Sequence, residues 1–405
     1  RSASLKGFRI AVDVFDKDAD FDAQNNPLVR NQMVRLRKAL EHYYLAEGAS
    51  DSVQFKLRKG EYAPQIAYLE QTAPVASQEI EPTLQSRDTP ILVIEPFQVQ
   101  GAAEEQLQFA AGLTLELTAA LSRFGHLQII CGVSNADDVS TTDHARYVLS
   151  GRIRHSGDKL RLNADLTEQK TGVCLWAKTY EWAMDIAEIF DLQDRITREV
   201  AAEIADDYGV IPRRLSSNIL NKPPSTLSAY EAVLAFYHYE LDLKEERLPD
   251  VISELEHAIQ IEPDYATAWA ALAEAYADRF VYAFCCDEQQ LTVSKAHSDK
   301  AISLDPSCQH AHWSRALAYH LSCNRDDLSV SRAAIDSLLS INPNAGGFVC
   351  GAGLLLSLQG EWQTGSNLIK QFYGDSLHAP RWVNLARQLY EYLQGNYLES
   401  LHHAQ

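Results

Sequence analysis

The run Ile91-Leu92-Val93-Ile94-Glu95-Pro96-Phe97 and the stretch FAAGLTLELTAALSRF at Phe109–Phe124 decide how the middle of the chain folds. The first is apolar and β-branched up to a closing proline, the pattern of a buried strand. The second reads as a helix over Phe109–Leu113 and Leu115–Phe124, with Leu113, Leu117, Ala120, Leu121 and Phe124 on one face. Leu127–Cys131 reads as a second short strand. Ala145–His155, Lys159–Glu168 and Gly172–Glu181 follow as three more. Ser156-Gly157-Asp158 and Gln169-Lys170-Thr171-Gly172 separate them and supply the turn chemistry of a β-meander. A last helix, Ile186–Tyr208, carries Ile189, Phe190, Leu192, Gln193, Ile196, Val200 and Ile204 at helical spacing. The module is α/β and, at about 120 residues, long enough to hold its own core.

Outward toward the amino terminus, Glu70–Thr89 is rich in Pro, Ser, Gln and Glu and reads as a flexible linker. Before it, Pro27–Tyr44 reads as a helix opened by Asn25-Asn26-Pro27. Val29, Met33, Leu36, Leu40 and Tyr43 form its apolar stripe, while Arg30, Asn31, Arg35, Arg37 and Lys38 fall on the other side. Val53, Phe55 and Leu57 then alternate with Gln54, Lys56 and Arg58. That pattern predicts a hairpin with one core face and one basic face, its tip at Arg58-Lys59-Gly60.

Toward the carboxy terminus, Ser216–Ser225 marks a boundary and the chain beyond it is helical. HAIQIEPDYATAWAALAEAY at His257–Tyr276 repeats as KAISLDPSCQHAHWSRALAY at Lys300–Tyr319, and LLSINPNAGGFVCGAGLLL continues the series. The prolines at 263, 306 and 343 are spaced by 43 and 37 residues. Gly360-Glu-Trp and Gly395-Asn-Tyr lie 35 apart. A longer loop near Phe284-Cys-Cys-Asp-Glu accounts for the wider spacing. Each proline stops one helix before the next, and small residues let paired helices approach.

The 405 residues are 46% hydrophobic and 22% charged, the composition of a soluble globular protein of two to four domains. Ser337–Gly360 lacks charge, but Asn342, Pro343, Asn344 and Gln359 interrupt it, so it reads as a buried helical pair and no membrane span is expected. The seven cysteines lack metal-type spacing, which predicts buried free thiols and a cytoplasmic location. Net charge is −19, but residues 1–66 carry eleven Lys/Arg against nine Asp/Glu. A segment at +2 is thus joined to a remainder at −21. Arg1 is not an initiator methionine and Gln405 falls inside a repeat, so both ends read as interior points of a longer polypeptide.

Three resemblances rest on these stretches. ILVIEPF…FAAGLTLELTAALSRFGHLQII, YVLSGRIRHSGDKLRLNADLTEQKTGVCLWAKTYEW and IFDLQDRITREVAAEI look like the TolB-like amino-terminal domain. In bacterial regulators that domain sits between a winged helix and tetratricopeptide repeats, or beside an adenylate cyclase domain. VRNQMVRLRKALEHYY…VQFKLRKGEYAP resembles the carboxy-terminal half of the OmpR/PhoB-type winged helix; that family's amino-terminal sheet and first helix have no counterpart here. In that family the solvent face of the helix enters the major groove and the wing touches the backbone. The resemblance implies Arg30, Asn31, Arg35, Arg37 and Lys38 as DNA-reading helix residues, and Lys56, Arg58 and Lys59 as wing residues. Residues 226–405 resemble tetratricopeptide repeats. The implied fold class is multidomain α/β plus all-α: a partial winged helix (1–68), a linker (69–89), a TolB-like α/β domain (90–212) and an α-solenoid (226–405).

No phosphate-binding loop, GxGxxG, HExxH or GxSxG motif occurs. No catalytic residue, cofactor or metal is expected. Cys308-x-His310-x-His312 offers metal-ligand types, but on a helix 308 and 312 share a face that 310 leaves. The pattern therefore reads as a core cysteine with surface histidines. Cys285-Cys286 would form a strained bridge and reads as two thiols. The leading expectation is a non-catalytic cytoplasmic regulator. Its residues 27–62 would contact double-stranded DNA, its α/β domain would sense a ligand or partner, and its repeats would recruit a protein. Two alternatives stay open: a scaffold that does not bind DNA, and the regulatory portion of an adenylate cyclase.

Overall fold

A computed structural model describes residues 29, 33, 36, 40, 53–56, 65–68, 89–100, 104–131, 145–156, 159–183, 189–219, 222–282, 287–322, 324–373 and 381–403. The chain divides into two units, Arg1–Leu84 and Gln85–Gln405.

In the first unit Val29, Met33, Leu36 and Leu40 are helical. Val29 and Met33 are buried and Leu40 is half-buried, as the stripe requires, but Leu36 is 46% exposed. One exposed leucine is within the ordinary apolar share of a protein surface. Strands β1 (Val53–Lys56) and β2 (Gln65–Tyr68) pair antiparallel, with Val53 opposite Tyr68 and Lys56 opposite Gln65. Phe55, expected on the core face of this hairpin, is 42% exposed. A two-stranded ribbon has no second layer of its own to bury a face.

The second unit opens with a mixed sheet. Strands β3 (Ile91–Ile94), β5 (Gln128–Cys131), β6 (Tyr147–Ser156), β7 (Lys159–Glu168) and β8 (Val173–Ala183) lie in the order β5-β3-β6-β7-β8. β3 runs parallel to β5 and β6, and β6-β7-β8 form the antiparallel meander. Glu95-Pro96 interrupts the first run, and the chain resumes as β4 (Gln98–Gln100), parallel to the far half of β6. Phe97 turns inward over Gly151 of β6, where a Cβ would stand 2.7 Å from the ring. Glycine is required there because the aromatic occupies the side-chain position.

Helix α1 (Glu104–Leu121) begins five residues earlier than the apolar pattern indicates, and α2 (Ile189–Ala205) ends three residues before Tyr208. The expected faces hold where side chains are described, which leaves out Ile189 and Phe190. Leu113, Leu117, Ala120, Leu121 and Phe124 of the first stretch are buried, as are Leu192, Gln193, Ile196, Val200 and Ile204 of the second. Gln193 donates from Nε2 to the Phe109 carbonyl at 3.0 Å. Gly112 makes room for it, since a Cβ there would meet that nitrogen at 2.7 Å. A buried glutamine on an apolar face is tolerated because its donor is satisfied.

Helices α3 (Val210–Ile219) and α4 (Ala229–Asp242) carry the chain out of the sheet. A capping box fixes the start of α4: Glu231 N donates to Ser228 Oγ, and Ser228 N donates to Glu231. One hydrophobic core runs from Leu92 and Leu166 in the sheet through Ile211 and Phe236 to Leu272 and Ala275.

Helix α5 (Leu248–Ile261) packs against α4, and the rest come in pairs: α6 (Ala266–Tyr282) with α7 (Glu288–Leu304), and α8 (Gln309–Leu321) with α9 (Arg325–Ile341). α10 (Gly346–Leu358) pairs with α11 (Trp362–Tyr373), and α12 (Arg381–Leu393) with α13 (Tyr397–His403). Pro263, Pro306 and Pro343 each follow a helix end by two residues. The surplus of the longer repeat, assigned above to a loop, lies partly in helix: α6 has 17 residues where α8 has 13. The architecture is therefore mixed α/β followed by a mostly helical array.

The free cysteines differ from expectation. Cys350 is buried and Cys308 half-buried, but Cys131 and Cys174 are exposed, because each lies on an edge strand of the sheet. Cys285, Cys286 and Cys323 lie outside the described residues. No described helix is long and apolar enough to cross a membrane.

Candidate functional site

Where α2 ends, Asp206-Asp207-Tyr208-Gly209 turns the chain into α3. Gly209 N donates to the Asp206 carbonyl at 2.7 Å, and a Cβ on Gly209 would stand 2.8 Å from that oxygen. The tight turn points two carboxylates into the protein, with Asp206 only 2% exposed and Asp207 6%. Asp206 accepts from Gly347 N through both oxygens, at 3.1 and 3.2 Å. Gly347 lies in the first turn of α10, whose N-cap residue Ala345 offers no side-chain cap. Asp206 thus caps a helix 141 residues away in sequence and faces its positive dipole end.

Asp207 hydrogen-bonds Tyr237 of α4. The Tyr237 hydroxyl lies 3.2 Å from His310 Nδ1, and His310 Nε2 lies 2.7 Å from Glu274 Oε2. Trp313 Nε1 donates to the other Glu274 oxygen at 2.5 Å. A polar chain therefore runs from the turn through α4 and α8 to α6. Phe236 and Phe348 pack on the imidazole, with ring centroids 5.8 and 5.1 Å away. Beside this chain Glu240 of α4 hydrogen-bonds Asp278 of α6, both buried.

Burial decides the charge states. It raises the Asp207 carboxyl well above its ordinary range, with the Asp206 charge adding to it. Burial likewise raises Glu240, helped by Asp278 and Glu274, and pushes Asp278 up to about 8. His126 is pushed down to about 4 by burial, against a hydrogen bond to the Ala205 backbone. Its Nδ1 lies 3.9 Å from Asp207 Oδ1. With the imidazole neutral at neutral pH, that contact is no ion pair. Among the described residues no three His, Cys, Asp or Glu stand where they could hold one metal ion.

A second feature lies between sheet and helices: a cleft of about 480 Å³ lined by Ile91, Arg146, Leu215, Tyr230 and Leu234 among others. Its cations are engaged. Lys222 pairs with Glu231 at 2.6 Å, and Arg146 Nε lies 4.0 Å from Glu168. Arg214 and Thr171 also hold the buried Glu168, at 3.1 and 2.9 Å. Burial opposes ionisation of that carboxyl, but these hydrogen bonds and charges outweigh it and keep its pKa low.

Of the DNA-contact residues named from sequence, Arg30, Asn31, Arg35, Arg37, Lys38, Arg58 and Lys59 lie outside the described residues. Lys56 ends β1, and its side chain is not described. The histidine reading changes. Cys308 is the N-cap of α8, outside the helix, so the helical-face argument does not apply to it. His310, expected at the surface, is 3% exposed. Asp206, Asp207, Glu240, Glu274 and Asp278 were not singled out in the sequence. A signal was there: Glu274 and Asp278 are four apart in the alanine-rich face of ALAEAYAD, which puts two carboxylates on one helix stripe.

No protein-family model matches the chain. Over 250 residues it is 26% identical to “Putative adenylate cyclase 3” of Rhizobium meliloti, a match covering 59% of this chain and 41% of that protein. A solved PelC dodecamer from Paraburkholderia phytofirmans aligns with 23% of this chain and 71% of its own, at 15% identity and a TM-score of 0.19. The chain thus spans well under half the length of a curated protein it resembles.

Proposed function

We propose that the chain is the non-catalytic regulatory part of a cytoplasmic, adenylate cyclase-associated signalling protein. In this reading the repeats recruit a protein partner, and the α/β layer, joined to them through one core and the Asp207–Tyr237–His310–Glu274 chain, relays its presence. The 250-residue similarity to a protein named as an adenylate cyclase carries the reading. The scaffold alternative has no such support. The purified chain with ATP and Mg²⁺ should form no cyclic AMP, and turnover would overturn the non-catalytic assignment. Deleting its gene in the source cells should change cellular cyclic AMP severalfold. An unchanged level would remove the cyclase association.

A second reading, contact of residues 27–62 with double-stranded DNA, is favoured by the burial of Val29 and Met33 on one side of a helix followed by the β1–β2 ribbon. Anisotropy on random duplex DNA should then fall steeply from about 50 to 200 mM salt, with a log–log slope near −0.9 per neutralised phosphate. Reversing the charges of Arg35 and Arg37 should abolish it. Absence of binding at the low-salt end would leave the cyclase-associated reading alone.

A further inference from the structure

We propose that Glu240 and Asp278 form a proton-operated latch: protonated, they let α4 and α6 close on the Asp206–Gly209 turn, and ionised, they drive that seam apart. The two acids come from different helices and are 4% and 6% exposed. A hydrogen bond between two carboxyl groups needs a proton on at least one of them. Beyond that mutual contact, Glu240 Oε1 and Asp278 Oδ2 find no hydrogen-bond donor, so nothing further offsets their burial as anions.

The charged groups facing the pair make ionisation worse, and the phenols around it bring no positive charge. Glu274 lies on α6 itself, and Tyr239 and Tyr282 face the pair from α4 and the last turn of α6. Tyr208 approaches from the α2–α3 turn, with Asp206 and Asp207 beyond it. These are acids and phenols. The imidazoles of the network are His310, already against Glu274, and the neutral His126. Two carboxylates in such a place repel across the contact between α4 and α6.

The folded Asp278 keeps its proton to about pH 8, whereas an unfolded aspartate releases it near the ordinary carboxylate range. Between those limits the folded state binds the extra proton. Raising pH therefore lowers the folding equilibrium constant about tenfold per unit for this group, until the loss is complete near 8. Glu240 and Asp207, also raised, act in the same direction. His126 acts oppositely, because its folded-state pKa is lowered to about 4. It removes stability only as pH falls below its ordinary 6.5. His297 and His320, lowered by burial as well, act with it, and all three contributions fade above 6.5, where the carboxylates dominate.

The latch does not depend on what the repeats bind or on any link to cyclic AMP. Urea unfolding of the 405-residue chain between pH 6.5 and 8 tests it. The folding constant should fall at least about tenfold per pH unit, and Asp278→Asn or Glu240→Gln should make the slope shallower. A flat or rising wild-type profile, or an undiminished slope in folded variants, would overturn the proposal. If neither variant folds, hydrogen exchange of the wild-type chain decides, corrected for the intrinsic pH dependence of exchange. At pH 8 relative to 6.5, α4 and α6 should lose protection while β6–β8 keep theirs. Uniform loss, or none, would contradict the latch.

Discussion

At His310 the imidazole touches Tyr237 through one nitrogen and Glu274 through the other, while Phe236 and Phe348 exclude water from the ring. Removing it leaves Glu274 buried with one partner fewer and opens a cavity. His310→Ala should therefore destabilise the chain by about 2–4 kcal/mol in urea titrations. A loss under about 0.5 kcal/mol, the scale of an ordinary surface change, would contradict the network. Glu168 makes the complementary case. Its folded pKa is held below the ordinary value, so its contribution exists above that value and is lost as pH falls through the folded one. Glu168→Gln should cost about 1–3 kcal/mol at neutral pH and progressively less in acid. A cost independent of pH would show that the carboxylate charge is not what Arg214 and Thr171 hold. Neither role is written in local sequence. The C-x-H-x-H spacing suggested a face, but Cys308 leaves the helix as its cap, and what His310 meets depends on α4 and α6, which no spacing near 310 encodes.

Between α10 and α11 two helices cross at glycines. A Cβ on Gly365 would collide with the Gly353 carbonyl and with Ser357 Oγ, so the backbones touch where side chains would otherwise hold them apart. Gly365→Ala should cost about 1–3 kcal/mol or more by overpacking, despite alanine's better helix propensity. A stabilised variant in a thermal melt would show that the crossing is not close. The repeat punctuation was legible because it is local chemistry. Gly360 and Gly395 take φ of +98° and +79°. After each, the next amide reaches back over the helix end: Glu361 N to Leu356 O and Asn396 N to Glu391 O, both 2.9 Å. The prolines at 263, 306 and 343 end helices for an equally local reason. The sheet strands other than β4 were legible too, within two or three residues at each end, from alternation and turn residues. Leu36 and Phe55 were not, because exposure depends on whether another layer arrives to cover the face.

For the whole molecule, the −19 net charge hides an interior in which burial raises the pKa of several carboxyls. A formal count cannot show that. Nor could composition show that one core passes without a break from the sheet into α6, because linker-like residues at Ser216–Ser225 still allow α3 to run to Ile219. That continuity, together with the Asp206 cap on α10, is what would let an event on the repeats reach the α/β layer. Hydrogen exchange at pH 6.5 under increasing urea tests it most directly, by comparing peptides from β6–β8 with peptides from α8–α10. If the layers form one body, both sets should converge on a single opening free energy with the same urea dependence. If the repeats opened at a much lower free energy while the sheet stayed protected, the two would be separate units, and no relay between them could operate through this core.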